Sequence, residues 1–313
     1  MFKLIVRRLL LSIPLLLVVS LITFVLSAFV PGDPAANLLG ANATPEQYAA
    51  VRDALHLNEP ILVQYWIYLT GIFQGSLGTS IFTGIDVFPT LLERLPVSLS
   101  IIVLSTVVAS VIGVLLGVGS AVGSRAVSWV TDIGTPIGFA LPNFWVALVL
   151  SATFAVAIPL FPPTGYTPFQ TSPPMWIWGL VLPVVAVAIG GVAATAKVAR
   201  DGMLTALSQD YIRTLRACGV SNRSLIWRHA LRGSGTRIVT AIGTTFVAAL
   251  SGTVLIETVF VLPGLGTLAV SATNTHDIPV LQGVALTFTL IVIVVNLLVD
   301  ISYGLIDPRV KVS

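Results

Sequence analysis

From Leu9 to Val30 the chain runs without a single charged side chain. Five further stretches of comparable length are nearly as bare. Such a segment cannot lie as a loop in water; about 20 mostly apolar residues are what a helix needs to cross the ~30 Å hydrocarbon core of a bilayer. The candidate spans are 9–30, 97–121, 134–158, 176–196, 237–260 and 280–304. Only 9% of the residues are charged, 56% are hydrophobic, and the mean hydropathy is +0.98, values that belong to integral membrane proteins. What remains is too short for a large soluble domain, so residues 1–313 are expected to form one all-α membrane domain. Pro14, Pro142 and Pro183 fall inside spans, where neighbouring helices can satisfy the backbone groups that proline frees. The first apolar run exceeds the ~7–15 residues of a signal-peptide core, and the following "FVPGDP" offers no small-x-small cleavage site, so it reads as a retained span.

The basic residues are unevenly placed. With the N-terminus inside, Lys3, Arg7, Arg8, Arg125, Lys197, Arg200, Arg213, Arg216, Arg223, Arg228, Arg232, Arg237, Arg309 and Lys311 all fall on the inner side, leaving only Arg52 and Arg94 of the 16 outside. That asymmetry predicts both termini in the cytoplasm. The single cysteine, Cys218, excludes a disulfide framework and a cysteine metal site; it is expected to be a partly buried loop residue.

Between spans, the segment 31–96 is external. Thr44-Pro45-Glu46 reads as a helix N-cap with proline at the first helical position, and Val51, Leu55 and Leu62 are expected to face the membrane surface. The segment is either an amphipathic cap or a platform for an external partner. The proline-rich loop 159–175 cannot be a regular helix. "GVLLG" (Gly113 to Gly117) and "GTPIG" (Gly134 to Gly138) are small-xxx-small patterns expected to let helices approach closely.

The inner segment 197–236 concentrates charge: "DYIRTLRACGVSNRSLIWRHALR" carries Arg213, Arg216, Arg223, Arg228 and Arg232. It reads as helix, break, helix. Leu204, Leu207, Tyr211, Leu215 and Cys218 recur at spacings of three and four, which predicts one apolar stripe. Gly219 stands where a helix end needs a left-handed residue, and Ser221 is placed to cap a second helix through Leu225, Ile226 and Trp227. A protruding basic knob of this kind could lie on anionic lipid, meet nucleic acid, or dock a cytoplasmic protein.

The knob resembles the cytoplasmic signature loop of ABC importer permeases of the dipeptide/oligopeptide/nickel branch. The resemblance covers essentially the whole chain, through "FVPGDPAANLLG", "LVQYWIYLTGIFQGSLGTSIFTG", "ERLPVSLSI", "LPNFWVALVL", "ETVFVLPGLGTLAVSA" and "NLLVDISYGLIDPRV" in that order. It implies a type I importer permease of six transmembrane helices, the first of two permeases in a peptide importer of the bacterial plasma membrane. It also implies that the loop is a coupling helix entering a groove on an ATPase, with Arg213 through Gly219 matching the signature core and Tyr211, Leu215, Arg216, Ala217, Val220 and Arg223 belonging to the same surface. Arg213, Thr214 and Leu215 stand where the broader motif has Glu-Ala-Ala, a change usual in this branch, and Cys218 replaces a frequent lysine. The implied partners are a second homologous permease, two ATPase subunits or one fused ATPase, an extracytoplasmic binding protein and membrane lipid, with no nucleic acid.

No G-x-x-x-x-G-K-[ST] loop is present to cradle nucleotide phosphates, so the chain is expected to hold no cofactor, ATP and Mg being bound by the partner subunits. "ALSGT" at 249–253 lacks the first glycine of a serine nucleophile elbow, and Glu257 and Asp300 are expected near opposite faces, which argues against an intramembrane protease. Ionisable groups inside a bilayer are costly and suggest function. Glu257, above Thr244, Thr245, Ser251 and Thr253, either lines the external mouth of a path or bonds nearby loop amides. Asn143 beside Pro142 presents a polar group at the interruption. Asn296 and Asp300 share a helix face and suit an interhelix contact. His276 and Asp277 are adjacent but lack further ligands, so no metal site is expected. A path lined by hydroxyls suits short peptides; nickel chelates and glutathione fit the same architecture.

Overall fold

The computed structural model describes residues 2–30, 32–40, 43–123 and 125–306. Arg309 and Lys311, and the side chains of Lys3 and Arg125, lie outside the described residues. Among the described residues the secondary structure is helical, apart from one isolated antiparallel bridge between Thr79 and Asp86. The helices are α1 (Phe2–Ala28), α2 (Pro34–Leu39), α3 (Pro45–Ala54), α4 (Ile61–Phe73), α5 (Val87–Val122), α6 (Arg125–Ala140), α7 (Asn143–Ser151), α8 (Pro173–Leu207), α9 (Asp210–Ala217), α10 (Asn222–Ser224), α11 (Leu231–Gly233), α12 (Gly235–Val259), α13 (Leu265–Thr275) and α14 (Ile278–Ile306). π-helical turns occupy Ala152–Ala157 and Leu225–Ala230. Five helices are long and apolar enough to cross a membrane: Ile5–Ala28 of α1, then α5, α8, α12 and α14. The chain is an all-α membrane protein.

The span expected at 134–158 is instead two pieces, Ala126–Ala140 and Asn143–Ala157, bent by 95°. Pro142 adopts an extended conformation (φ −65°, ψ 131°); proline also disfavours helical geometry at the residue before it. Gly134, Pro136 and Gly138 further weaken the run leading into it. Pro14 and Pro183, by contrast, remain inside continuous helices. The second span also starts earlier than expected, because α5 begins at Val87 rather than near residue 97.

The residues fall into two compact units. One comprises Leu4–Ser98 and Pro263–Ile293. Its core joins Val87 and Leu91 of α5 to Leu265 and Ala272 of α13 and Val280 and Val284 of α14. Thr44 and Gln47 form a reciprocal capping box at the start of α3, and Asp33 caps α2 while pairing with Arg52 at 2.5 Å. The segment 31–96 is not simply a cap, since α4 lies along α1: the Tyr65 hydroxyl is 2.7 Å from Ser20 Oγ, and its ring meets Phe24 edge-on. Val51 and Leu55 are half-buried, but Leu62 is 67% exposed.

The other unit includes residues 99–262 and 294–306. Its centre is α8, packed against α6, α7 and α12. The close approach expected of Gly113 and Gly117 is realised against α8: a Cβ on Gly117 would lie 2.5 Å from the Ala196 carbonyl oxygen, and one on Gly113 2.7 Å from Thr195 Cβ. Gly138 likewise abuts Ala193, whereas Gly134 faces open space.

Candidate functional site

The basic knob is built on the end of α8. That helix runs to Leu207, the chain breaks at Ser208 and Gln209, and α9 begins at Asp210. The break resets the helical phase, so the expected stripe of Leu204, Leu207, Tyr211, Leu215 and Cys218 does not form. Leu204, Tyr211 and Cys218 are exposed, and α9 is anchored instead by Ile212, 1% exposed. Beneath it Val118, Met203, Ala206 and Ala230 form one apolar cluster, with Leu207, Ile226 and Leu231 packed around it. Tyr211 folds its hydroxyl over Gly233.

α9 ends in a Schellman turn: Gly219 N–H donates to Arg216 O, Val220 N–H donates to Leu215 O, and Gly219 has φ +80°. This is the left-handed geometry that glycine adopts without a Cβ penalty. Ser221 Oγ then accepts from Ser224 N–H and caps the next helix. The turn presents Arg213, Arg216, Ala217, Cys218 and Arg223 to solvent, with Leu215 and Val220 half-buried at its base. Arg213 has only a 3.4 Å contact with Asp210. Arg216, Arg223, Arg228 and Arg232 form no ion pair among the described residues. The outcome is a small, firmly seated helix with unneutralised positive charge.

The four residues expected on a path separate into two groups. Asn143 and Thr244 line one cavity of about 350 Å³, between the α6–α7 break, the Gly190-Gly191 pair of α8, and α12. Ser251 is exposed on α12 and does not line this cavity. Glu257 is 0% exposed near the end of α12 and does not line this cavity. Asn296 is exposed while Asp300 is half-buried, so the pair does not share one environment.

Sequence reasoning missed three features. Gly190 and Gly191 line the cavity, Gly191 also letting Thr245 and Ala109 approach α8 closely, and a Gly-Gly pair inside an apolar span was the available signal. Arg200 pairs with Asp132, linking α8 to α6. Asp277, 5% exposed, accepts from Ser80 Oγ at 2.5 Å and from Ile81 N–H at 3.3 Å, while His276 Nδ1 lies 2.9 Å from Asn37 Nδ2. The adjacent pair, considered from sequence only as metal ligands, ties the segment 31–96 to the start of α14.

The family described as "Binding-protein-dependent transport system inner membrane component" matches residues 109–312, and the N-terminal family of such membrane components matches residues 1–102. The chain is 37% identical to a putative peptide transport system permease protein of Brucella abortus (strain 2308), over 99% of each chain. It is 33% identical to an oligopeptide transport system permease protein of Bacillus subtilis (strain 168), over 98% of each. With a dipeptide transport system permease protein of the same organism it shares 34% identity, over 95% of this chain and 94% of the relative.

Proposed function

This chain belongs to the family of binding-protein-dependent transport system inner membrane components, and from that premise we propose that it is the permease subunit of an ATP-driven importer of di- and oligopeptides. The names of its relatives support peptide as the cargo. The chain is a multi-pass membrane protein; its place is the bacterial plasma membrane, with both termini cytoplasmic, as the distribution of basic residues favours. It makes and breaks no covalent bond. Hydrolysis belongs to cytoplasmic ATPase partners, two subunits or one fused chain, which bind ATP and Mg. A second homologous permease supplies the other half of the path, and an extracytoplasmic binding protein delivers the cargo.

The observation that carries this reading is the knob. A short helix seated by Ile212 and closed by Gly219 offers a rigid, unneutralised basic surface suited to an acidic groove on a partner protein. Closure of the ATPases moves Tyr211–Arg223, and the spans rock between outward- and inward-open states whose affinities for the cargo differ.

The test is ATPase activity of the reconstituted complex, challenged with di-, tri- and longer peptides, glutathione and a nickel chelate. Stimulation by peptides that requires the binding protein is the expected result. Stimulation by nickel or glutathione alone overturns the peptide assignment, and failure of any ATPase to assemble with the chain overturns the coupling role.

A further inference from the structure

The cavity at the Leu141–Pro142 break has a polar chemistry of its own. α7 starts there, inside the bent apolar pair, with no side-chain cap. Its first intrahelical donors are Trp145 and Val146, both to Pro142 O, so the N–H groups of Asn143 and Phe144 have no acceptor among the described residues. The start of a helix carries a partial positive charge and favours anions. Two further groups point the same way. The Asn143 side-chain amide makes no hydrogen bond among the described residues. On the facing helix Thr245, 7% exposed, lines the same cavity, and its hydroxyl has no partner.

The lining contains no Asp, Glu, Lys or Arg. Without an acidic side chain, nothing repels an anion; without a basic one, nothing holds it as a permanent ion pair. Broken helices within a membrane recurrently aim their N-termini at anionic groups of a cargo. Building on the peptide-importer reading, we propose that this cavity is a subsite for the C-terminal carboxylate of the transported peptide. The start of α7 and Asn143 are its donors from one side, and the Thr245 hydroxyl, unpartnered beneath the opposite wall, turns to it from the other. A carboxylate is the one anion every peptide carries, so such a subsite recognises cargo without reading its side chains.

The experiment compares uptake of a tripeptide and of its C-terminal amide by the full reconstituted complex, with the binding protein saturated by each. The same binding protein serves every variant, so its own preference cancels between them. Asn143→Leu is expected to lower the acid-to-amide uptake ratio about tenfold, the scale of a lost hydrogen bond to a charged group. Thr245→Val, nearly isosteric, and Gly190→Ala, whose new Cβ would sit 3.7 Å from Asn143 Oδ1 in ordinary contact, are expected to lower the ratio severalfold. Should Asn143→Leu fail to assemble, these two decide the matter. An unchanged ratio in both, or equal loss for acid and amide, overturns the subsite. Uptake of neither peptide by the unaltered complex overturns the peptide-importer reading instead.

Discussion

Val220 donates its backbone N–H to the carbonyl of Leu215 at 3.1 Å, and the residue between helix end and donor, Gly219, sits at φ +80°. A side chain at Gly219 would meet nothing within 4 Å, so a substitution there is penalised by backbone conformation alone. Gly219→Val is expected to leave membrane insertion intact, to tilt or unwind the knob, and to reduce peptide transported per ATP hydrolysed. Parallel assays of uptake and phosphate release check this; unchanged coupling in the variant removes the mechanical role assigned to the turn.

The same turn closes α12 with a different residue. Leu262 N–H donates to Glu257 O at 2.8 Å, and Val261 holds the left-handed position at φ +51°. A β-branched residue in this conformation is strained by roughly 1–2 kcal/mol. Val261→Gly is expected to raise the thermal stability of the detergent-solubilised protein by a part of that, about 1 kcal/mol after the extra flexibility of glycine in the unfolded chain. A lower melting temperature would contradict the strain.

Two glycines of similar sequence context should behave oppositely. At Gly117 an added Cβ would be forced against the Ala196 carbonyl and Ala199, whereas at Gly134 it would find open space. Gly117→Ala is expected to destabilise by about 1–3 kcal/mol through overpacking. Gly134→Ala should be neutral or stabilise by up to ~1 kcal/mol from helix propensity. Thermal melts of the two variants side by side are the measurement.

Asp277 is buried and accepts from Ser80 and Ile81. Asp277→Ala is expected to cost about 2–3 kcal/mol by orphaning those donors. A double-mutant cycle with Ser80→Ala should show coupling of at least ~0.5 kcal/mol; strict additivity would mean that the contact contributes nothing.

Much of this was legible in the residues. Hydropathy located the apolar helices, because length and charge alone decide whether a segment can cross a bilayer. Thr44, Gly219 and Ser221 announced their caps, because each acts on its own turn. The failures were of two kinds. Spacing arguments assumed an unbroken helix through Ser208, and a break rotates every later residue out of register, so Ile212 rather than Tyr211 became the anchor. Long-range pairings left no local trace: nothing near Asp277 in sequence names Ser80, and nothing near Arg200 names Asp132. Pro142 was noticed, but the sharpness of its bend depends on the glycines and Pro136 before it acting together.

α8 is continuous from Pro173 to Leu207. The distance along it from Gly190, on the cavity wall, to Leu207, two residues short of the knob's helix, is about 26 Å at 1.5 Å per residue. Pro183, the proline inside α8, lies on the far side of the cavity from the knob, and the Gly190-Gly191 pair sits at the cavity end. Gly202 is braced against Ser234, so the stretch from Val192 to Leu207 carries no unbraced hinge. It is a stiff connecting rod: a displacement of its end at Leu207, where the knob is seated by Met203 and Ala206, reaches the cavity wall along continuous helix. In the proposed coupling role, movement of the cavity wall at Gly190 and movement at the base of the knob are then one displacement of one rod.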